Sequence, residues 1–190
     1  MVHIRAARHG DGHAAETLAA IALGDATGAG PAPGPFAVAI DELGGQVPLP
    51  HGEGLVFVAC PDVDSGQVLG MLYLCPPIRL IDDCADQGKQ VQQRLAQAVA
   101  EIELLAVTAQ ARRHGIGSSL LAAAEDLVRD RGGKLVYVKV RHDDAPRLRW
   151  YRIRGYHLVA SRESVILAVA GTTVAFADGG DGYRVMIKVI

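Results

Sequence analysis

Two rhythms run through the apolar positions of this chain, and glycine and proline mark where one gives way to the other. Short runs of β-compatible residues predict strands at His3 to Ala7, Leu55 to Cys60, Gln67 to Leu74, Glu101 to Val107 and Lys134 to Val140. The second and third are joined by Pro61-Asp62-Val63-Asp64-Ser65-Gly66, which makes them a hairpin, and Pro76-Pro77 ends the second of them. Helical spacing appears at His13 to Leu23, opened by Gly10-Asp11-Gly12, and at Leu120, Leu121, Ala124, Leu127 and Val128. Between them lies a Gly/Ala/Pro-rich loop at about 24–50, centred on Gly28 to Pro35, with a short helix near Phe36 to Leu43. From Asp82 to Gln97, Val91 and Leu95 at helical spacing indicate a short helix or a disordered insertion. Ser164 to Ala177, interrupted by Gly171-Thr172-Thr173, reads as a β-hairpin within a strand-rich insertion at about 164–180.

Length and composition narrow the possibilities. With 190 residues, 49% of them hydrophobic, the chain suits one well-buried domain spanning residues 1–190. A net charge of −2 calls for neither nucleic acid nor an acidic membrane. The distribution says more: residues 1–100 hold five Lys/Arg against eleven Asp/Glu, and residues 112–154 hold eleven against five. Ordinary solvated surface explains this as well as a basic segment for phosphates and an acidic one for a cationic amine. Cys60, Cys75 and Cys84 are odd in number and lack Cys-x-x-Cys spacing, which fits reduced thiols in a cytoplasmic protein without structural zinc. Met1 to Arg5 has no apolar core like that of a signal peptide, and Val165 to Ala177 is too short for a membrane span.

Candidate chemistry concentrates at Arg112-Arg113-His114-Gly115-Ile116-Gly117, set between a predicted strand and a predicted helix. A helix N-terminus offers unpaired N–H groups and the positive end of the macrodipole, and glycine lets a phosphate approach them closely. A pyrophosphate suits such a loop. Gly117 is followed by Ser118 and Ser119 with no lysine, which disfavours a Walker loop, and the missing third glycine disfavours a dinucleotide fingerprint.

What remains is Arg/Gln-x-x-Gly-x-Gly/Ala, filled by Arg112, Gly115 and Gly117, which resembles the coenzyme A pyrophosphate loop of the GNAT N-acetyltransferases. Tyr151-Arg152-Ile153-Arg154-Gly155-Tyr156 is similar to that family's terminal Tyr-x-x-x-Gly-Phe motif, and Tyr183 to Lys188 to its closing strand. Where the family often has Asn and Ala, this chain has Asp144 and Arg147. The resemblance implies an α/β fold: a central mixed β-sheet flanked by helices, with splayed parallel strands holding CoA. It implies acetyl-CoA as co-substrate and no metal. The contacts it implies fall on Leu105, Ala106, Val107, Arg112, Arg113, His114, Gly115, Ile116, Gly117, Ser118 and Asp144, with the Val107 N–H as oxyanion donor.

Acetyl transfer to an amine also needs a base and an acid. A lysine-like amine, pKa about 10.4, is neutral in about one molecule per thousand near pH 7. Glu101 and Glu103 share one face of their strand, and histone-acetylating members of the family carry their catalytic glutamate at the position of Glu101. Either could equally be salt-bridged or solvated on the sheet's polar face. The motif makes Tyr151 the candidate acid, while Trp150 is assigned to the core. His142 stands in reserve as a base, although a turn histidine is the simpler account, and His9 and His13 lack a third ligand. The expected function is direct transfer from acetyl-CoA to a primary amine of a small molecule, peptide or protein. Acetylation of aminoacyl-tRNA and non-catalytic acyl-CoA binding are the alternatives. A membrane is not expected as a partner and nucleic acid is disfavoured. The segment 164–177 could extend the sheet, cover the acceptor site or form a homodimer surface.

Overall fold

The computed structural model describes residues 2–24, 33–160, 164–176 and 182–190. Residues 25–32 of the expected loop and residues 177–180 of the expected insertion lie outside the described residues. The fold is mixed α/β, a central mixed sheet flanked by helices. The chain divides into two compact units, Met1–Cys75 with Glu103–Leu127, and Pro76–Ile102 with Val128–Ile190.

In the first unit, β3 (Gly52–Cys60) is the organising strand. Along one edge it pairs antiparallel with β1 (His3–Ala6), from His3↔Cys60 to Ala6↔Phe57, and then with β2 (Gln46–Leu49), from Gln46↔Leu55 to Leu49↔Gly52. β4 (Gly70–Cys75) takes the other edge, as the predicted hairpin requires, and neighbours β5 (Val99–Val107) in turn. The β2 strand carries Pro48, which an edge position tolerates because it leaves no central ladder bond unmade. Gly44 and Gly45 turn the chain from α2 (Pro35–Leu43) into β2 with φ of 61° and 84°, and a Cβ on Gly45 would lie 2.7 Å from the Ala7 carbonyl. Helices α1 (Gly12–Ala22) and α2 bury Ala15, Leu18 and Ile40 in a core with Val56, Val58, Met71 and Ala106.

The second unit has its own core. α4 (Lys89–Ala98) presents Val91 and Leu95 on one face, and these pack with Val99, Leu135 and Val185. It is preceded by a short helix, α3 (Ile78–Asp82), which follows the two prolines directly. β5 runs parallel to β6 (Leu135–Arg141) from Val99↔Leu135 to Ile102↔Val138. β10 (Tyr183–Val189) is antiparallel to β6 along its whole length and pairs beyond with β7 (His157–Leu158). β8 (Val165–Val169) and β9 (Thr172–Phe176) form the expected hairpin as a separate two-stranded sheet, so they do not extend the main one. Their Val165, Val169 and Val174 close over the second core.

Candidate active site

In the first unit, β5 ends at Val107, a single 3-10 turn follows at Ala109–Ala111, and α5 (Ile116–Asp130) begins after the four residues 112–115. Arg113 and Gly115 both take positive φ, 65° and 81°, so the backbone between them bends sharply. The first N–H groups of a helix have no acceptor within it. Those of Arg113 to Gly117 find none elsewhere among the described residues, whereas the N–H groups of Ser118 and Ser119 both reach the Gly115 carbonyl, at 2.9 and 3.0 Å. Gly115 faces open space, with nothing within 4 Å of a Cβ position. A loop of unpaired donors open to solvent, flanked by arginines, has the donor set a pyrophosphate needs.

Two contacts fix this loop in place. Arg112 turns back so that its Nε donates to the Val107 carbonyl at 3.1 Å, tying the loop to the end of β5. Ile116, 2% exposed, anchors the helix start. Gly70 on β4 makes room for that anchor, since a Cβ there would come within 3.1 to 3.3 Å of the Ala106 carbonyl, Ile116 and Leu120. Leu105 and Val107 are half-buried on the strand, and Ala106 is buried in the core.

Glu103 is exposed on β5 in the same unit, and the Cys75 thiol donates to its Oε2 at 3.5 Å. Tyr73, two residues before Cys75 on β4, is buried, and desolvation pushes its phenol well above the ordinary range, with Cys75 and Glu103 adding to the effect. Phe36 meets the Tyr73 ring edge-on at 5.3 Å. Gly54 leaves space for that ring, because a Cβ there would fall 2.4 Å from the Tyr73 hydroxyl.

Glu101 belongs to the second unit and has a different environment. It is 4% exposed; Tyr137 donates its hydroxyl to Oε2 at 2.6 Å, and Lys139 Nζ stands 2.7 Å from Oε1. Both partners come from β6, and the register explains them: Glu101 is paired with Tyr137, and Lys139 lies two residues on along the same face. The two glutamates thus share a strand face but not a setting.

Tyr151 lies in α6 (Ala145–Arg152), 4% exposed, with Trp150 edge-on at 4.9 Å and Tyr156 at 5.1 Å. Burial raises its phenol well above the ordinary value, against a smaller opposing pull from Arg147 and Arg154. Trp150 is not a simple core residue, since the Arg154 guanidinium stacks 3.8 Å from its ring centre. Asp144 is the N-cap of α6. Its side chain accepts from the Arg147 N–H at 2.9 Å and pairs with the Arg147 guanidinium at 3.2 Å. The Nδ1 of His142 lies 2.9 Å from the Gly182 carbonyl, to which it can donate. His9 Nδ1 lies 3.3 Å from the Asp41 carbonyl, and no group of metal-binding side chains occurs among the described residues.

The profile of the acetyltransferase (GNAT) family matches residues 33–156, about two thirds of the chain. The chain belongs to the GNAT family. Solved structures of other GNAT proteins share its fold. A GCN5-related N-acetyltransferase from Kribbella flavida aligns over 100% of this chain and 98% of its own, with TM-score 0.61 and 19% identity. A GNAT acetyltransferase from Streptococcus pneumoniae gives 0.60 at 15% identity over 100% and 99%. A third, from Elizabethkingia anophelis with acetyl-CoA bound, gives 0.50 at 12% over 100% and 98%. No curated protein sequence gives a significant match. GNAT enzymes draw their acetyl group from acetyl-CoA, and no helix among the described residues of this one is long and apolar enough to cross a membrane.

Sequence reasoning missed the surroundings of this GNAT chain's glutamates. Tyr137 and Lys139 were legible as same-face residues of a strand, but that they meet Glu101 depends on the parallel register. Tyr73 and Cys75 likewise share a face of β4, and only the pairing of β4 with β5 brings them to Glu103.

Proposed function

We propose that this GNAT protein transfers an acetyl group directly from acetyl-CoA to a primary amine of a small molecule or peptide. The observation that carries the reading is the row of unpaired N–H groups from Arg113 to Gly117 at the start of α5, with the exposed Glu103 carboxylate on the strand that leads to it. The loop donors and the α5 dipole hold the coenzyme pyrophosphate. The Val107 N–H receives the oxyanion that forms at the thioester carbonyl. Glu103, directly or through one water, takes the proton from the acceptor's ammonium group. The freed nitrogen attacks the carbonyl carbon, the C–S bond breaks, and Tyr151 protonates the departing thiolate, which solvent later repays to the phenolate.

Glu103 is assigned the base role because Glu101 already holds a hydroxyl and an ammonium group, and a carboxylate so engaged is a poor acceptor. Tyr151 stays protonated throughout the physiological range. Handing its proton to a thiolate, with pKa about 8.5 by analogy with cysteine, is uphill by about 2 kcal/mol from a phenol's ordinary value. Burial adds to that cost, and Arg147 and Arg154 reduce it. Arg141 pairs with Asp143, Arg147 with Asp144, and Arg154 stacks on Trp150, so three of the five arginines from Arg141 to Arg154 already have internal partners, which favours a small acceptor over RNA.

Incubation with acetyl-CoA and a panel of polyamines, aminoglycosides, amino acids and peptide amines should release CoA thiol with at least one acceptor class. Coenzyme binding without thiol release across the panel would favour a binding module. Acetylation confined to aminoacyl-tRNA would favour the RNA reading.

A further inference from the structure

The second unit holds a cleft that acetyl transfer does not use. It is an open depression of about 540 Å³ at the N-terminal ends of β5 and β6, lined by the exposed Arg94 and Gln97 of α4, by the exposed Arg131 and Lys134 before β6, and by the β8–β9 turn at 168–170. Three cations share this concavity, and no carboxylate among the described residues lines it. None of the three side chains makes an ion pair or hydrogen bond within the described residues. Elsewhere Arg5, Lys139, Arg141 and Arg147 each meet a carboxylate, while exposed cations such as Lys89, Arg149 and Arg152 are unpaired among the described residues but do not line this concavity. Like charges gathered on a concave wall repel one another and focus a positive potential into it.

Arg131 directly follows α5, where the helix end favours a cation, but Arg94 lies in the middle of α4 and Lys134 beyond both helices, so helix ends do not account for those two. Arg129, in the last turn of α5, supplies the cation that a C-terminal dipole favours, and it does not line the cleft. Three carbonyls at this end of α4 and α5 are already engaged. The Ala98 carbonyl accepts from the Lys134 N–H at 2.8 Å, and those of Val128 and Arg129 accept from Gly133 and Gly132, each at 2.9 Å. The volume falls within the roughly 300–1,000 Å³ of small-molecule sites.

We propose that this cleft binds a small phosphate-bearing anion, held by the Arg94 and Arg131 guanidinium forks and Lys134, with the Gln97 amide as a neutral donor. The inference does not rest on acetyl transfer. It is tested by calorimetric titration of the full chain with inorganic pyrophosphate, alone and with CoA saturating the α5 loop. Pyrophosphate should still bind in the presence of CoA. The double variant Arg94→Gln/Lys134→Gln should weaken that binding at least about tenfold, and Arg131→Gln alone several-fold, with CoA affinity held within about twofold. Pyrophosphate binding abolished by CoA, or unchanged in both variants, overturns the site. Tight, steeply salt-dependent binding of poly(U) through these side chains, without pyrophosphate binding, overturns it in favour of single-stranded RNA. Should CoA itself not bind, the loop reading fails, while the variant comparison with pyrophosphate alone still decides the cleft.

Discussion

Tyr151 sits among aromatic neighbours, and its raised phenol pKa makes two separable statements. The native state holds this proton more tightly than the unfolded chain. Its contribution to stability is therefore whole below about pH 10 and is lost as pH climbs above that value. Tyr151→Phe should accordingly reduce the alkaline loss of stability, measured as melting temperature between pH 9 and 11. It should also lower kcat by on the order of 10²-fold with little change in acetyl-CoA affinity. An unchanged kcat would remove Tyr151 from the mechanism. The glutamates should separate in the opposite sense. Glu101→Gln leaves Lys139 without its counter-charge and should cost about 2 kcal/mol, below the 3–5 of a fully buried pair because Lys139 keeps 28% of its side chain exposed. Glu103→Gln should leave stability within about 0.5 kcal/mol and slow turnover. Urea melts and steady-state rates on both variants check this pair, and the reverse pattern would return the base role to Glu101.

At the scale of elements, the loop and the α6 cap are the parts whose chemistry can be tested without touching reacting groups. Gly115→Ala meets no steric obstacle, but its φ of 81° costs a side-chain residue about 1 kcal/mol, and relief of that strain would re-aim the donors. Weaker acetyl-CoA binding by calorimetry is the expected result. Asp144→Ala should cost about 1 kcal/mol through loss of the α6 cap, and Asp144→Asn almost nothing, since asparagine caps as well. These elements were also the most legible in the sequence. The β3–β4 hairpin, α1, α5 and β6 announced themselves through local periodicity and glycine or proline stops, while the segment of α4 read as either a short helix or a disordered insertion. β2 did not, because Gly44, Gly45 and Pro48 read as loop and only the free edge of β3 makes them a strand. α3 was hidden behind Pro76-Pro77, which the sequence marks only as the end of a strand. The phosphate loop was readable because its meaning lies in adjacent residues. The environments of Glu101 and Glu103 were not, because they depend on which strands neighbour β5 and in what register.

At the scale of the whole molecule, one core among the described residues gathers around Ile40, Val56 and Met71 and another around Ile81, Leu95 and Leu135. Leu95 is fully buried, so Leu95→Ala should cost about 2–5 kcal/mol and act first on the second core. The three cysteines supply the means to see this without introducing a probe. All are buried, Cys60 and Cys75 in the first core and Cys84 in the second, and burial pushes the Cys60 and Cys84 thiols away from the reactive thiolate. A thiol reagent in native buffer should modify them only when the surrounding structure opens. Peptide mapping of modified chains would then give an opening rate for each core, and Leu95→Ala should accelerate modification of Cys84 more than that of Cys60. Equal acceleration of both would mean that the cores open as one. Thiols that played no part in the chemistry thereby become internal clocks for these two cores.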